Sequence, residues 1–170
     1  MDNFTDCLAF VLQAEGGYSD NPADPGNWTG GIVGAGELRG TKSGISAAAY
    51  PKLDIRNLDE QQIEAIYRQD YFVPVCGDAL PLPLAMVAFD GAVNAGVRRS
   101  IIWLQQSAGV VADGVPGNKT ISTLNNGNAV ALASDALARR LDFYACSPGW
   151  GTFGLGWARR ILKLAQAIGH

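Results

Sequence analysis

The sequence predicts a mainly α-helical protein with one irregular segment, and three observations carry that expectation. Apolar residues recur at three- and four-residue spacing along most of the chain, as on one face of a helix. Gly, Pro and Asn punctuate the gaps between those runs. Glycine crowds the stretch at about residues 18–45, where neither a helical nor a strand period is sustained, so this part is expected to be a long irregular loop or a small β-ribbon. With 170 residues, 48% of them hydrophobic, the chain suits one compact domain with a real core.

The elements follow in order. Phe4, Leu8, Val11 and Leu12 share one helical stripe, and Glu15 falls on the same stripe before Gly16 and Gly17 stop the run. After the glycine-rich stretch, "NLDEQQIEAIYRQDYF" offers Asn57 as N-cap with Glu60 three residues on, a capping-box spacing ahead of Ile63, Ile66 and Tyr67. "LPLPLAMVAFDGAVNAG" is apolar nearly all round, with Pro83 in its first turn and Gly96 at its end, and is expected to be a buried central helix. "VRRSIIWLQQSAG", "NKTISTLNNG", "NAVALASDALARRLDFYACS" and "TFGLGWARRILKLAQAIG" read as further helices. No internal repeat or linker interrupts them.

Composition removes several classes of function. Apolar runs such as "CLAFVL" are far shorter than the roughly 20 residues that cross a bilayer, so no transmembrane segment is expected. Asp2 and Asp6 stand where a secretory signal carries Lys or Arg, so action outside the cytoplasm calls for another exit. Three cysteines, Cys7, Cys76 and Cys146, share no metal-binding spacing, and reduced, buried thiols are expected. The net charge of −3 hides an asymmetry. Residues 1–97 hold 5 basic and 13 acidic side chains, whereas residues 98–170 hold 8 basic and 3 acidic, which makes the C-terminal half the candidate for a weak contact with an anionic surface.

The chemistry available is that of carboxylates. The one histidine is His170, which leaves no Ser/His/Asp or Cys/His system and no histidine-rich metal site; phosphate loops and dinucleotide fingerprints are also missing. Glu15, on the apolar side of a helix end, would lose part of its water and with it some preference for the charged form, as a general acid requires. Nine residues later, Asp24 lies in the turn-forming "ADPGN", where water and backbone amides favour the ion. Two carboxylates in unlike settings can divide acid and base roles, which is the logic of glycoside hydrolysis. Spacing alone leaves a second reading open, a hydrogen-bonded helix-end carboxylate and a turn residue.

"EGGYSDNPADPG" followed by "TKSGIS" resembles the signature of the glycoside hydrolase family 108 lysozymes, N-acetylmuramidases of bacteria and phages with a lysozyme-like α fold. "FDGAVNAGVRRSIIWLQQSAGVVADGVPGNKTISTLN" looks like that family's C-terminal peptidoglycan-binding segment, and "RRLDFYACSP" and "FGLGWARR" look like its closing helices. The resemblance implies residues 1–88 as a catalytic part and 89–170 as a helical peptidoglycan-binding part around one core. It also implies Glu15 as the acid that cleaves the β-1,4 bond between N-acetylmuramic acid and N-acetylglucosamine. Asp24 with Thr41 would position water or steady the developing charge, and Tyr18, Gly44, Asp90 and Asn94 would contact the glycan.

The sequence departs from the family pattern in an insert, "NWTGGIVGAGELRG", which separates Gly26 from Thr41 and adds a second threonine, Thr29, and a competing carboxylate, Glu37. Thr41 keeps the register of "TKSGIS". Arg159 stands where Asn is common in the family. Trp28 offers a flat face for a cleft wall or a lid. The implied partner is peptidoglycan, with no nucleic acid, no metal and no cofactor, acting as a monomer. The implied setting is synthesis in a bacterial cytoplasm followed by holin-type or dedicated export to the wall. The rival reading is a non-catalytic wall-binding module built around "VVADGVPGNKT".

Overall fold

A computed structural model describes residues 2–13 and 16–169. The observed class is the expected one: seven α-helices and, among the described residues, a single short antiparallel ribbon. The chain divides into two compact units, Leu8–Tyr67 and a second made of Met1–Cys7 with Arg68–His170. The boundary at 88/89 expected from the resemblance falls inside the helix Leu82–Ala95.

The Leu8–Tyr67 unit takes in the second half of α1 (Asn3–Leu12), the loop and ribbon, and α2 (Glu60–Tyr67). Its ribbon is β1 (Thr41–Lys42) paired with β2 (Ile45–Ser46), with Thr41 opposite Ser46 and Lys42 opposite Ile45. The two residues between them, Ser43 at φ 48° and Gly44 at φ 74°, both occupy the left-handed region, which a tight primed hairpin turn demands. Lys42 Nζ donates to the carbonyl oxygens of Leu58 (2.7 Å) and Arg56 (3.2 Å), and Tyr67 Oη donates to that of Ser43 (2.8 Å), so the hairpin is tied to the chain just before α2 and to α2's last residue. The cap of α2 lies two residues beyond the one the sequence suggested. Asp59 Oδ1 accepts from Gln62 N (2.8 Å) while Gln62 Oε1 accepts from Asp59 N (3.0 Å), and Asn57 instead donates to Asp54 Oδ2 (2.9 Å) in the preceding turn. Both spacings fit a capping box; Ile55–Asn57 is itself a short 3-10 turn, so the α-helix can only begin after it.

The second unit is built around α3 (Leu82–Ala95), whose nine consecutive residues Leu84–Ala92 are buried, as an all-round apolar helix requires. Pro83 sits in the first turn, and Gly96 at φ 84° ends the helix and passes directly into α4 (Val97–Ser107). Close approach of α3 and α4 is set by Gly91. A Cβ there would lie 2.5 Å from Ser100 Oγ, the hydroxyl that donates to the Ala88 carbonyl at 2.6 Å. α5 (Asn118–Asn126), α6 (Ala129–Ala145) and α7 (Trp150–Ile168) complete the unit, with α6 and α7 against each other and against α3. Asn128 caps α6 through its side chain, accepting from Ala131 N at 3.0 Å. At the far end Phe4, Phe72 and Phe89 form an edge-to-face triangle with centroids 5.1 to 6.0 Å apart. Arg68 lies over Phe4 and pairs with Asp2, whose carboxylate also accepts from Phe4 N (3.1 Å); both contacts pull the Asp2 carboxyl below its ordinary value.

Candidate active site

Glu15 lies outside the described residues. Its sequence neighbour Gly16 accepts from Ser43 N at 3.2 Å, so the backbone just after the expected acid is joined to the hairpin turn. Asp24, Thr41, Tyr18 and Gly44 belong to the same Leu8–Tyr67 unit, and a short chain of contacts connects them. Asp24 is exposed and caps a turn of 3-10 helix, Pro25–Asn27, with Oδ1 accepting from Gly26 N at 2.8 Å. Gly26 O accepts from Ala48 N (3.0 Å), and the Gly26 backbone passes Ser46, the partner of Thr41 across the ribbon. Thr41 also exchanges both backbone hydrogen bonds with Ser19, at 2.8 Å each. The carboxylate of "ADPGN" and the threonine of "TKSGIS" are therefore held by one piece of backbone, although fifteen positions separate Gly26 from Thr41.

The insert achieves this by folding back on itself. Trp28 pairs with Leu38, Thr29 N donates to Glu37 O (2.9 Å), and Arg39 N and Gly40 N both donate to Asn27 O (2.9 and 3.0 Å). Residues 27 and 40 are thus brought together and the insert loops out between them. Asn27, fully buried, anchors this closure and donates through Nδ2 to Asn21 O at 3.0 Å. Nothing in the sequence singles out this asparagine, since its burial exists only once the insert has closed. Gly40, at φ 81°, has no room for a side chain, because a Cβ would come within 2.6 Å of Ser19 O and 2.7 Å of the Tyr18 ring. Glu37 is exposed and forms an ion pair with Arg39 (2.6 Å), and Thr29 Oγ1 accepts from Glu37 N (2.9 Å). Both serve the shape of the insert. Trp28, expected as a cleft wall or lid, donates through Nε1 to Pro22 O (2.9 Å), a bond that braces the loop.

Tyr18 lines a concavity of about 340 Å³ with Leu38, Arg39, Asp54 and Arg56. The Arg56 guanidinium lies 4.6 Å over the Tyr18 ring and also pairs with Asp20 (2.9 Å), while Tyr18 Oη donates to Arg39 O at 3.3 Å. One face of the ring is therefore covered by a cation.

Asp90 and Asn94 lie in the other unit, on α3. Asp90 does not line a cleft. It is fully buried, its Oδ2 accepts from Arg140 Nη1 (2.6 Å) and its Oδ1 from Arg160 Nε (2.8 Å); Arg140, 1% exposed, also donates to Tyr144 Oη (3.1 Å). A carboxylate with both oxygens engaged by arginines inside a helical core orders that core and offers no atom to a glycan. The basic pairs "RR" at 139–140 and 159–160 hint at this arrangement, but a sequence cannot show which arginine of each pair turns inward. Asn94 is exposed and donates back to Asp90 O (2.7 Å). Farther on, Gln105 holds the "ADGVPGNKT" loop: Nε2 donates to Asp113 Oδ1 (2.8 Å) and Val115 O (3.0 Å), and Oε1 accepts from Gly114 N (2.8 Å). Asp113 Oδ1 also accepts from Val115 N at 2.9 Å, and these bonds lower its carboxyl pKa.

Comparison with known proteins adds to this geometry. The family model described as glycosyl hydrolase 108 matches residues 8–96. No curated protein matches the chain. Among solved structures, that of SagA from Brucella abortus is similar, with 29% sequence identity, a TM-score of 0.81, and coverage of 97% of this chain and 92% of that one. The family match spans more than half of the chain and contains the whole unit that carries Asp24 and Thr41. The chain therefore belongs to the glycosyl hydrolase 108 family and is, by that membership, a glycoside hydrolase.

Proposed function

We propose that this glycosidase cleaves peptidoglycan at the β-1,4 bond between N-acetylmuramic acid and N-acetylglucosamine, as an endolysin-type or secretion-linked enzyme acting at the bacterial wall. The observation that carries the reading is the family match across residues 8–96, which takes in Glu15, Asp24 and Thr41 in order. In this reading Glu15 protonates the leaving glycosidic oxygen, the step that costs most without a positioned acid. Asp24 stands on the far side of the ring, steadying the oxocarbenium-like charge or orienting a water, and Thr41 assists from the adjacent strand. Holding both on one backbone fold supports this division, because a displacement of about 1 Å at such a site costs around a hundredfold in rate.

Two measurements test the proposal together. Glu15→Gln is expected to lower lysis of purified peptidoglycan by at least about a hundredfold with the fold intact; wild-type activity in a folded variant would remove Glu15 from its role. Digested wall, reduced with borohydride, is expected to carry muramitol. Glucosaminitol would move the cut to the other glycosidic bond, and new amino groups without new reducing ends would mean peptide or amide cleavage. Binding to wall material without clearing it would favour the non-catalytic module.

A further inference from the structure

α7 carries two stripes with different fates. Gly154, Ile161, Leu164 and Ile168 recur at helical spacing and are buried, so this side faces the core. Residues 155, 159, 162 and 166 form the opposite stripe. Leu155 is 66% exposed and Leu162 64%, and Arg159 and Lys163 beside them are exposed as well. Two leucines seven positions apart lie about 10 Å from one another along the axis. Between Phe143 and His170 the sequence has no Asp or Glu, and the third base of the helix, Arg160, is taken up by Asp90.

We propose that this outward stripe of α7 is a docking surface for an anionic lipid bilayer, with the helix lying flat, Leu155 and Leu162 entering the headgroup layer and Arg159 and Lys163 meeting lipid phosphates. The charge is complementary, since two bases with no acid near them in sequence are attracted to an anionic leaflet. The shape points the same way: a single convex helix with two separated leucines has no groove for a peptide, whereas a fluid surface yields to it. Two leucines and two bases make a weak, reversible contact of the interfacial kind. The surface does not depend on which glycosidic bond the enzyme cuts.

The test uses the full chain with vesicles of phosphatidylglycerol mixed with phosphatidylcholine, set against pure phosphatidylcholine, in a sedimentation assay. Binding to the anionic vesicles only, weakened by added salt, is expected. R159E/K163E should lose at least about tenfold in partitioning, and L155S/L162S should lose binding with the charge unchanged. Lys119→Glu, an exposed base on α5, should have little effect. Circular dichroism confirms that each variant is folded. The proposal is overturned by equal binding to neutral vesicles, by wild-type binding of R159E/K163E, or by a loss in Lys119→Glu as large as in Arg159→Glu, which would mean net charge alone. Equal capture by polyglutamate would transfer the surface to an acidic polymer and overturn it too.

Discussion

Asp90 shows how one side chain changes meaning between a sequence and a fold. The family resemblance implies a glycan contact for it; in the structure it is the shared partner of Arg140 and Arg160. Removing it strands a buried guanidinium. Asp90→Ala is expected to destabilise by about 3–5 kcal/mol, measured as a shift in urea midpoint, and any loss of lysis should follow the folded fraction. Asp24 and Thr41 call for the opposite outcome. Asp24→Asn and Thr41→Ala should lower activity by intermediate factors in folded protein, because both sit on the exposed or half-buried surface of the ribbon unit. Thr29→Ala removes the acceptor for Glu37 N, and a stability loss of about 1 kcal/mol with little change in turnover is expected; a larger activity defect from Thr29 than from Thr41 would mean the insert had been aligned to the wrong threonine.

At the scale of elements, the start of α2 allows a direct comparison of two candidate caps in one loop. Asp59 holds the reciprocal bonds with Gln62, so Asp59→Ala should cost about 1 kcal/mol, while Asn57→Ala loses only an exposed bond to Asp54 and should stay within about 0.5 kcal/mol. Equal losses would show that the helix starts where the sequence spacing first placed it. The ribbon depends on its turn in the same local way. Gly44 at φ 74° follows Ser43, already left-handed, and together they set the register that puts Thr41 opposite Ser46. The glycine was legible in "TKSGIS"; the tie from the turn to Tyr67 Oη was not, because it joins positions 24 apart.

At the scale of the molecule, the cysteines report on folding. Of the thiols expected to be buried only Cys7 is so; Cys76 is half-buried and Cys146 exposed. Burial pushes the Cys7 thiol up to about 12 from 9.0, with the carboxylates of Asp6, Asp2 and Asp90 adding to it. The native thiol keeps its proton at pH values where the unfolded one has lost it. The contribution is therefore complete below pH 9.0 and is lost as pH rises towards about 12. Stability should fall through that window, with the slope reduced in Cys7→Ala, and in native protein a thiol reagent should modify Cys146 quickly and Cys7 only on unfolding. Fast modification of Cys7 would mean that the N-terminal helix opens locally.

What the sequence determined by itself is the part written in short-range patterns. Helical periods, the stop at Gly96, the all-apolar run of α3 and the carboxylate motifs all act within a few residues of each other, where spacing and local geometry are the same thing. Tertiary structure alone decided which of two adjacent arginines enters the core, that Asp90 is a structural ion-pair partner, that the insert closes on Asn27, and that Trp28 braces a loop. Each of these depends on groups far apart in the chain losing their water together, and the energy of a buried charge or a buried amide is set by the partners that meet it there, which no local pattern encodes.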